Sequence, residues 1–105
     1  MTIDGERFTS DLIVFPEGRV ADNWWRADGH RLTQKDLAMV IAAGPEIIVA
    51  GMGIYGRMQA APGLSERLAS KGITLITENT ELAAETFNDL CDGIRRVAGC
   101  FHLTC

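Results

Sequence analysis

A chain of 105 residues holds one domain, residues 1–105, and buries roughly two-thirds of the surface its unfolded form exposes. With 47% hydrophobic and 23% charged residues it has the composition of a globular protein and not of a disordered or fibrous one. Its net charge of -4 argues against binding of a nucleic-acid backbone, which selects an electropositive face.

The longest apolar runs, Leu12 to Phe15 and Ile47 to Ala50, fall far short of the ~20 residues of a membrane span, so none is expected. Met1 to Glu6 contains acidic residues where a secretory signal has a basic and then an apolar region, and a cytoplasmic location is the expectation. Cys91, Cys100 and Cys105 are odd in number and all lie in the last fifteen residues, so they form no framework stapling the fold, and reduced thiols are the simplest reading.

Asp4-Gly5, between Thr2-Ile3 and Glu6-Arg7-Phe8, signals a two-residue hairpin, because a type I′ turn needs positive φ. Leu12 to Phe15 reads as a buried strand, and Pro16-Glu17-Gly18 as the turn that reverses it. The return strand is expected over Arg19 to Trp25, where alternation puts Trp24 and Trp25 on opposite faces. Thr33 followed by Asp36 resembles a capping box. It opens a helix of about three turns with Leu37, Val40 and Ile41 on one face, ended by Gly44-Pro45.

Ile47 to Ala50 is apolar at successive positions, as expected of a central strand covered on both faces and paired in parallel. It leads into glycines spaced G-x-G-x-x-G at Gly51, Gly53 and Gly56. Beyond them Pro62 is expected at the first position of a helix that buries Leu64 and Leu68 and stops at Gly72. Ile73 to Thr77 forms the next strand. Thr80 is expected to cap a longer helix with Leu82, Thr86, Phe87, Leu90, Ile94 and Val97 as its stripe, and Arg95 and Arg96 in its last turn. Gly99 to Thr104 closes the sheet. The order gives an α/β domain with a central mixed sheet, an N-terminal hairpin region and about three helices.

Two stretches carry functional signals. A strand that ends in glycines can turn its bare backbone N–H groups toward an anion. The dinucleotide fingerprint adds a helix opening on the third glycine and an acid ~20 residues on. Glu78, 22 residues after Gly56, supplies the acid, but Pro62 delays the helix and one short chain has no room for a second mononucleotide half. A small anionic ligand held by the Gly51 to Gly56 N–H groups and Arg57, beside Tyr55, Asn23 and His30, stands against a tight structural turn.

The second stretch, Asn23-Trp24-Trp25-Arg26 with His30 and Arg31, joins aromatic contact area to directional cations, the composition of a recognition surface. The bland alternative is one core tryptophan with Arg26 extended over it. No nucleophile lies near His30 in sequence, so no catalytic residue is assigned. Cys100-Phe101-His102-Leu103-Thr104-Cys105 invites a metal reading, but strand parity puts Cys100 and His102 on one face and Cys105 on the other, and no metal or cofactor is assigned. Cys91 is read as a small buried hydrophobe on the last helix, and Cys105 as a terminal thiol open to reaction.

Phe15-Pro16-Glu17-Gly18, Asn23-Trp24-Trp25-Arg26, Gly51-Met52-Gly53 and Phe101-His102-Leu103-Thr104-Cys105, in this order, resemble the small-domain family named after an archaeal hypothetical protein, the MTH-nine-three-eight-like family. Its relatives include the adipogenesis-associated domain protein and a mitochondrial complex I assembly factor. The resemblance covers nearly the whole chain and implies a three-layer α/β fold around a mixed sheet. It brings no catalytic residues, and its functional implication is an assembly or interaction role. The expectation is therefore a non-enzymatic domain that binds a protein partner through Asn23, Trp24, Trp25, Arg26, His30, Gly51, Gly53, Tyr55, Gly56 and Arg57, the alternative being a small anionic-ligand or enzyme site at the glycine loop.

Overall fold

The computed structural model describes all residues except 1, 4–5, 8–10, 23–30, 54–58, 92, 94 and 103–105. In chain order the elements are β1 (Thr2–Ile3), β2 (Glu6–Arg7), β3 (Leu12–Val14), β4 (Val20–Asp22), β5 (Arg31–Leu32), α1 (Ala38–Ala42), β6 (Ile47–Met52), β7 (Gln59–Ala60), α2 (Leu64–Ala69), β8 (Thr74–Glu78), α3 (Thr80–Cys91) and β9 (Val97–His102). The main sheet has the order β4-β3-β9-β6-β8. Strand β6 pairs in parallel with both β8 and β9, while β3 runs antiparallel to β9 and to β4, so the sheet is mixed, as expected.

All six residues of β6 are buried, because both faces of the sheet are covered. Ile48, Ala50 and Met52 belong to one core with Ile13, Phe15, Cys100, Leu37 and Val40 and with Leu64 and Leu68 of α2. Ile47 and Val49 belong to a second core with Leu12, Val14, Phe101 and the α3 residues Ala83 and Phe87. The period-2 alternation of the strands thus sorts their side chains into two separate cores, and the domain has three layers.

Turn chemistry explains the connections. β1 and β2 pair as Thr2↔Arg7 and Ile3↔Glu6, the register of the expected hairpin, whose turn lies outside the described residues. Phe15 and Arg19 close the β3–β4 turn, with Phe15 N–H donating to the Arg19 carbonyl at 2.8 Å. The Arg19 guanidinium sits 4.0 Å from the centroid of the Phe15 ring.

The capping box forms: Asp36 Oδ2 accepts from Thr33 N–H at 3.0 Å, and Thr33 Oγ1 accepts from Asp36 N–H at 3.3 Å. The helix it opens is shorter than expected. Leu37 and Ala38 bond to the carbonyls three residues back, so the first turn is tight and α1 proper holds five residues.

Three further expectations are corrected. Pro62 is not the first residue of α2. Leu64 N–H donates to the Ala61 carbonyl across Pro62-Gly63, with Gly63 at φ 78° and ψ 2°, so Pro-Gly forms a type II turn and the helix begins after it. Thr80 does not cap α3, because Asn79 Oδ1 accepts Leu82 N–H at 2.9 Å. Helix α3 ends at Cys91 and its buried residues are Thr80, Ala83 and Phe87, whereas Leu82 is 45% exposed, Cys91 is exposed and Val97 begins β9.

The late arginines serve elsewhere. Arg95 Nε lies 3.1 Å from Glu46 Oε2, and Arg96 donates to the Ala43 and Gly44 carbonyls that end α1, at 2.8 and 3.2 Å. At the other end of α2, Ile73 N–H bonds the Leu68 carbonyl and Gly72 N–H the Ala69 carbonyl, the Schellman pattern expected of a glycine stop.

Gly99 marks where the second core is tightest. A Cβ there would lie 2.5 Å from Phe101 Cε2 and 3.0 Å from Phe87 Cδ1, and these two rings meet edge to face with centroids 5.6 Å apart. Gly99→Ala is therefore expected to lower stability by about 1–3 kcal/mol, because the close-packed rings must shift. Urea denaturation measures it, and an unchanged midpoint would contradict the packing described.

Candidate functional site

The parallel strands β6, β8 and β9 end together, at the edge where ligands bind in open α/β sheets. Gly51 pairs with Glu78 on one side and Phe101 on the other, and Met52 with His102. A Cβ on Gly51 would lie 3.1 Å from Thr80 Oγ1 and 3.2 Å from Phe101 Cδ1, so the bare backbone at this position lets the start of α3 approach β6. Two residues on, Gly53 adopts φ 100°, which side-chain-bearing residues avoid.

Thr80 uses that approach. Its Oγ1 accepts Gly53 N–H at 3.0 Å and donates to the His102 carbonyl, while its own N–H donates to the Gly53 carbonyl at 3.0 Å. One hydroxyl thus joins β6, β9 and α3, using both its donor and its acceptor capacity. His102 is 1% exposed. Its Nδ1 lies 2.7 Å from Asp11 Oδ2, and because a carboxylate only accepts, Nδ1 carries the proton. Asp11 directly precedes β3, so this contact ties the antiparallel half of the sheet to the end of β9. Glu78 Oε1 is buried with no hydrogen-bond partner among the described residues.

Of the residues singled out in the sequence, Gly51 and Gly53 lie in this cluster. Asn23, Trp24, Trp25, Arg26, His30, Tyr55, Gly56 and Arg57 lie outside the described residues. The elements that flank them are described. Segment 23–30 runs from β4 to β5 and segment 54–58 from β6 to β7, and β5 pairs in parallel with β7 through Arg31↔Gln59 and Leu32↔Ala60. Both segments therefore rejoin the fold on hydrogen-bonded neighbours. The N–H of Gly53 is engaged by Thr80, so an anion held by this loop would rely on the N–H groups beyond it and on Arg57.

Thr80, His102, Asp11 and Glu78 escaped the sequence reading as a cluster. The hydroxyl of Thr80 has a local signal that points to helix capping. Its actual partners are 27 and 22 positions away, and Asp11 and His102 are 91 apart. Among the described residues no three His, Cys, Asp or Glu side chains converge as a metal site would require. Cys91 and Cys100 are both thiols, and full burial pushes the Cys100 thiol far above the ordinary thiol range.

Over residues 1–102 the chain matches the family described as proteins of unknown function, DUF498/DUF598. Among solved structures it is similar to the conserved hypothetical protein PH1505 from Pyrococcus horikoshii OT3, at 24% identity and TM-score 0.83 over 98% of this chain and 90% of that one. It is also similar to MT938, at 23% identity and TM-score 0.79 over 97% and 88% of the two chains. A Mth938-like domain from Bordetella pertussis matches at 21% identity and TM-score 0.66 over 94% and 77%. At these identities the likeness speaks to the fold alone.

Thr80→Val leaves the Gly53 N–H and the His102 carbonyl buried and unpaired, and is expected to cost about 2–4 kcal/mol. Thr80→Ser keeps the hydroxyl and costs about 1 kcal/mol, for the lost methyl. Equal losses in chemical denaturation would show that the hydroxyl is not the link described. Iodoacetamide at pH 8 is expected to alkylate Cys91 in the native protein and Cys100 only after unfolding, because reaction needs an accessible thiolate. Peptide mapping that finds both labelled at one rate would contradict the burial.

Proposed function

The chain belongs to the DUF498/DUF598 family of proteins of unknown function, and we propose that it is a non-enzymatic protein-interaction module of the assembly-factor kind, working in the cytoplasm. Its recognition surface is formed by Asn23, Trp24, Trp25, Arg26 and His30 together with the glycine loop from Gly51 through Tyr55, Gly56 and Arg57.

The observation that carries this reading is the parallel pairing of β5 with β7, which makes the ends of the Trp/Arg segment and of the glycine loop direct neighbours. Loops set on a rigid scaffold are where binding residues concentrate, and the start of the glycine loop is held by the Thr80 hydrogen bonds. Trp and Arg are the side chains that most often dominate an interface, the first by contact area and the second by directional hydrogen bonds.

Affinity capture with tagged protein in lysate of its native cells tests the reading. A partner retained by the wild type is expected to be lost, by about tenfold or more in affinity, on Trp25→Ala or Arg26→Ala in variants whose circular dichroism is unchanged. If no recovered protein depends on either residue, the reading fails.

A further inference from the structure

The sequence contains only two lysines, Lys35 and Lys71. The fold brings them together at the rim of one open concavity of about 530 Å³, lined by Gln34, Lys35, Ala38, Ile41, Ala42 and Lys71. Lys35 comes from the tight turn before α1 and Lys71 from the turn after α2, while the floor is the outer face of α1. Arg67 of α2 reaches the lining through Gln34, its Nε donating to Gln34 Oε1 at 3.2 Å.

None of these three cations has a carboxylate partner among the described residues, whereas Arg19 pairs with Glu17 and Arg95 with Glu46. The carboxylate next in sequence to Lys35, that of Asp36, is turned back onto the backbone and hydroxyl of Thr33. A protein of net charge -4 thus sets two lysines, neither with a carboxylate partner among the described residues, beside the small apolar surface of Ala38, Ile41 and Ala42.

The geometry points to this concavity as a docking site for an acidic amphipathic segment of a partner protein, a surface distinct from the Trp/Arg loop and independent of the reading given for it. The occupant follows from complementarity. Ala38 and Ala42 are one turn apart on α1, with Ile41 beside them, so the floor accepts an apolar side chain and not a bare ion. Lys35 and Lys71 on the rim accept carboxylates that flank such a side chain, and they steer an acidic segment toward the groove. A polyanion such as a nucleic acid or an anionic membrane would be repelled by the net negative charge of the rest of the molecule, whereas a segment with two or three carboxylates meets only the local field.

The lysine count makes the test selective. Carbodiimide joins a lysine amine to a carboxylate in contact with it, so apart from the α-amino group every amine cross-link from this chain reports on the groove. Full-length protein is treated in native lysate at 50 mM and 300 mM salt and the linked peptides are sequenced. A second arm titrates a labelled twelve-residue helical peptide, with leucines along one face flanked by glutamates, into the wild type, Lys35→Glu/Lys71→Glu, Lys35→Arg/Lys71→Arg and Ala42→Glu.

The expected result is linkage of Lys35 or Lys71 to Asp or Glu residues flanking an apolar residue in a different protein, suppressed at 300 mM salt. Peptide affinity should fall at least tenfold in Lys35→Glu/Lys71→Glu and in Ala42→Glu and be retained in the arginine variant. Linkage only to carboxylates of this same chain, with self-association in sedimentation, would mean that a second copy occupies the groove and overturns the proposal. So would charge-dependent binding to phosphatidylserine vesicles without peptide binding, or peptide affinity that is absent or equal in wild type and the charge-reversed variant.

Discussion

Among the described residues, the Thr80 hydroxyl is the link that joins β6, β9 and α3 at the carboxyl end of the parallel sheet. Strands β6 and β9 and helix α3 all meet at the carboxyl end of the parallel sheet, where ladder pairing stops and backbone groups would otherwise be left without partners in a buried setting. Thr80 supplies both partners at once, an acceptor for Gly53 N–H and a donor for the His102 carbonyl. Each such bond contributes on the order of 1 kcal/mol net, but leaving its partner buried and unpaired costs about 1–3 kcal/mol, so the asymmetry fixes the arrangement more firmly than the bond strengths suggest. Gly51 favours the contact, since a Cβ there would press on Thr80 Cα and Oγ1 at 3.1 Å.

That link gives the glycine sequence a mechanical meaning. The chain leaves β6 through Gly53 at a fixed φ and a fixed hydrogen bond, enters the loop, and returns on β7 beside β5. On the other side of the sheet end, His102 and Asp11 extend the same tie to β3. The edge from which the loops depart is thereby braced by α3, β9 and β3 together, and a braced edge suits loops that recognise something, because less order has to be gained on binding. The α1 concavity is braced differently. It rests on the cap that the Arg96 side chain, more than fifty residues away in sequence, places on the end of α1 and on the local Schellman turn next to Lys71.

How far the fold could be read from the sequence depended on the range of the forces involved. Strands β3 and β6 were legible because burial on both faces leaves continuous apolar runs, and the Pro16 to Gly18 turn and the Gly72 stop because their dihedral demands are local. The capping box of Thr33 and Asp36 was legible for the same reason. Pro62 reads as a helix start, and Thr80 as a cap, because each residue has two local uses and only the rest of the fold chooses between them. The apolar pattern overstates the length of α3, because Val97 continues it after the chain has turned into β9. At the site, Gly51 and Gly53 were visible from spacing alone, while Asp11, Thr80 and His102 meet only through the fold. The concavity between Lys35 and Lys71 had no signal beyond the scarcity of lysine itself.

The Thr80 hydrogen bonds hold the end of β6 as firmly as its centre. Native-state hydrogen exchange of the Gly53 amide tests this most directly. The amide is expected to exchange only through global unfolding, with a protection free energy matching those of Ile48 and Val49. Exchange of Gly53 through a local opening, several kcal/mol easier than that of the β6 core, would contradict it.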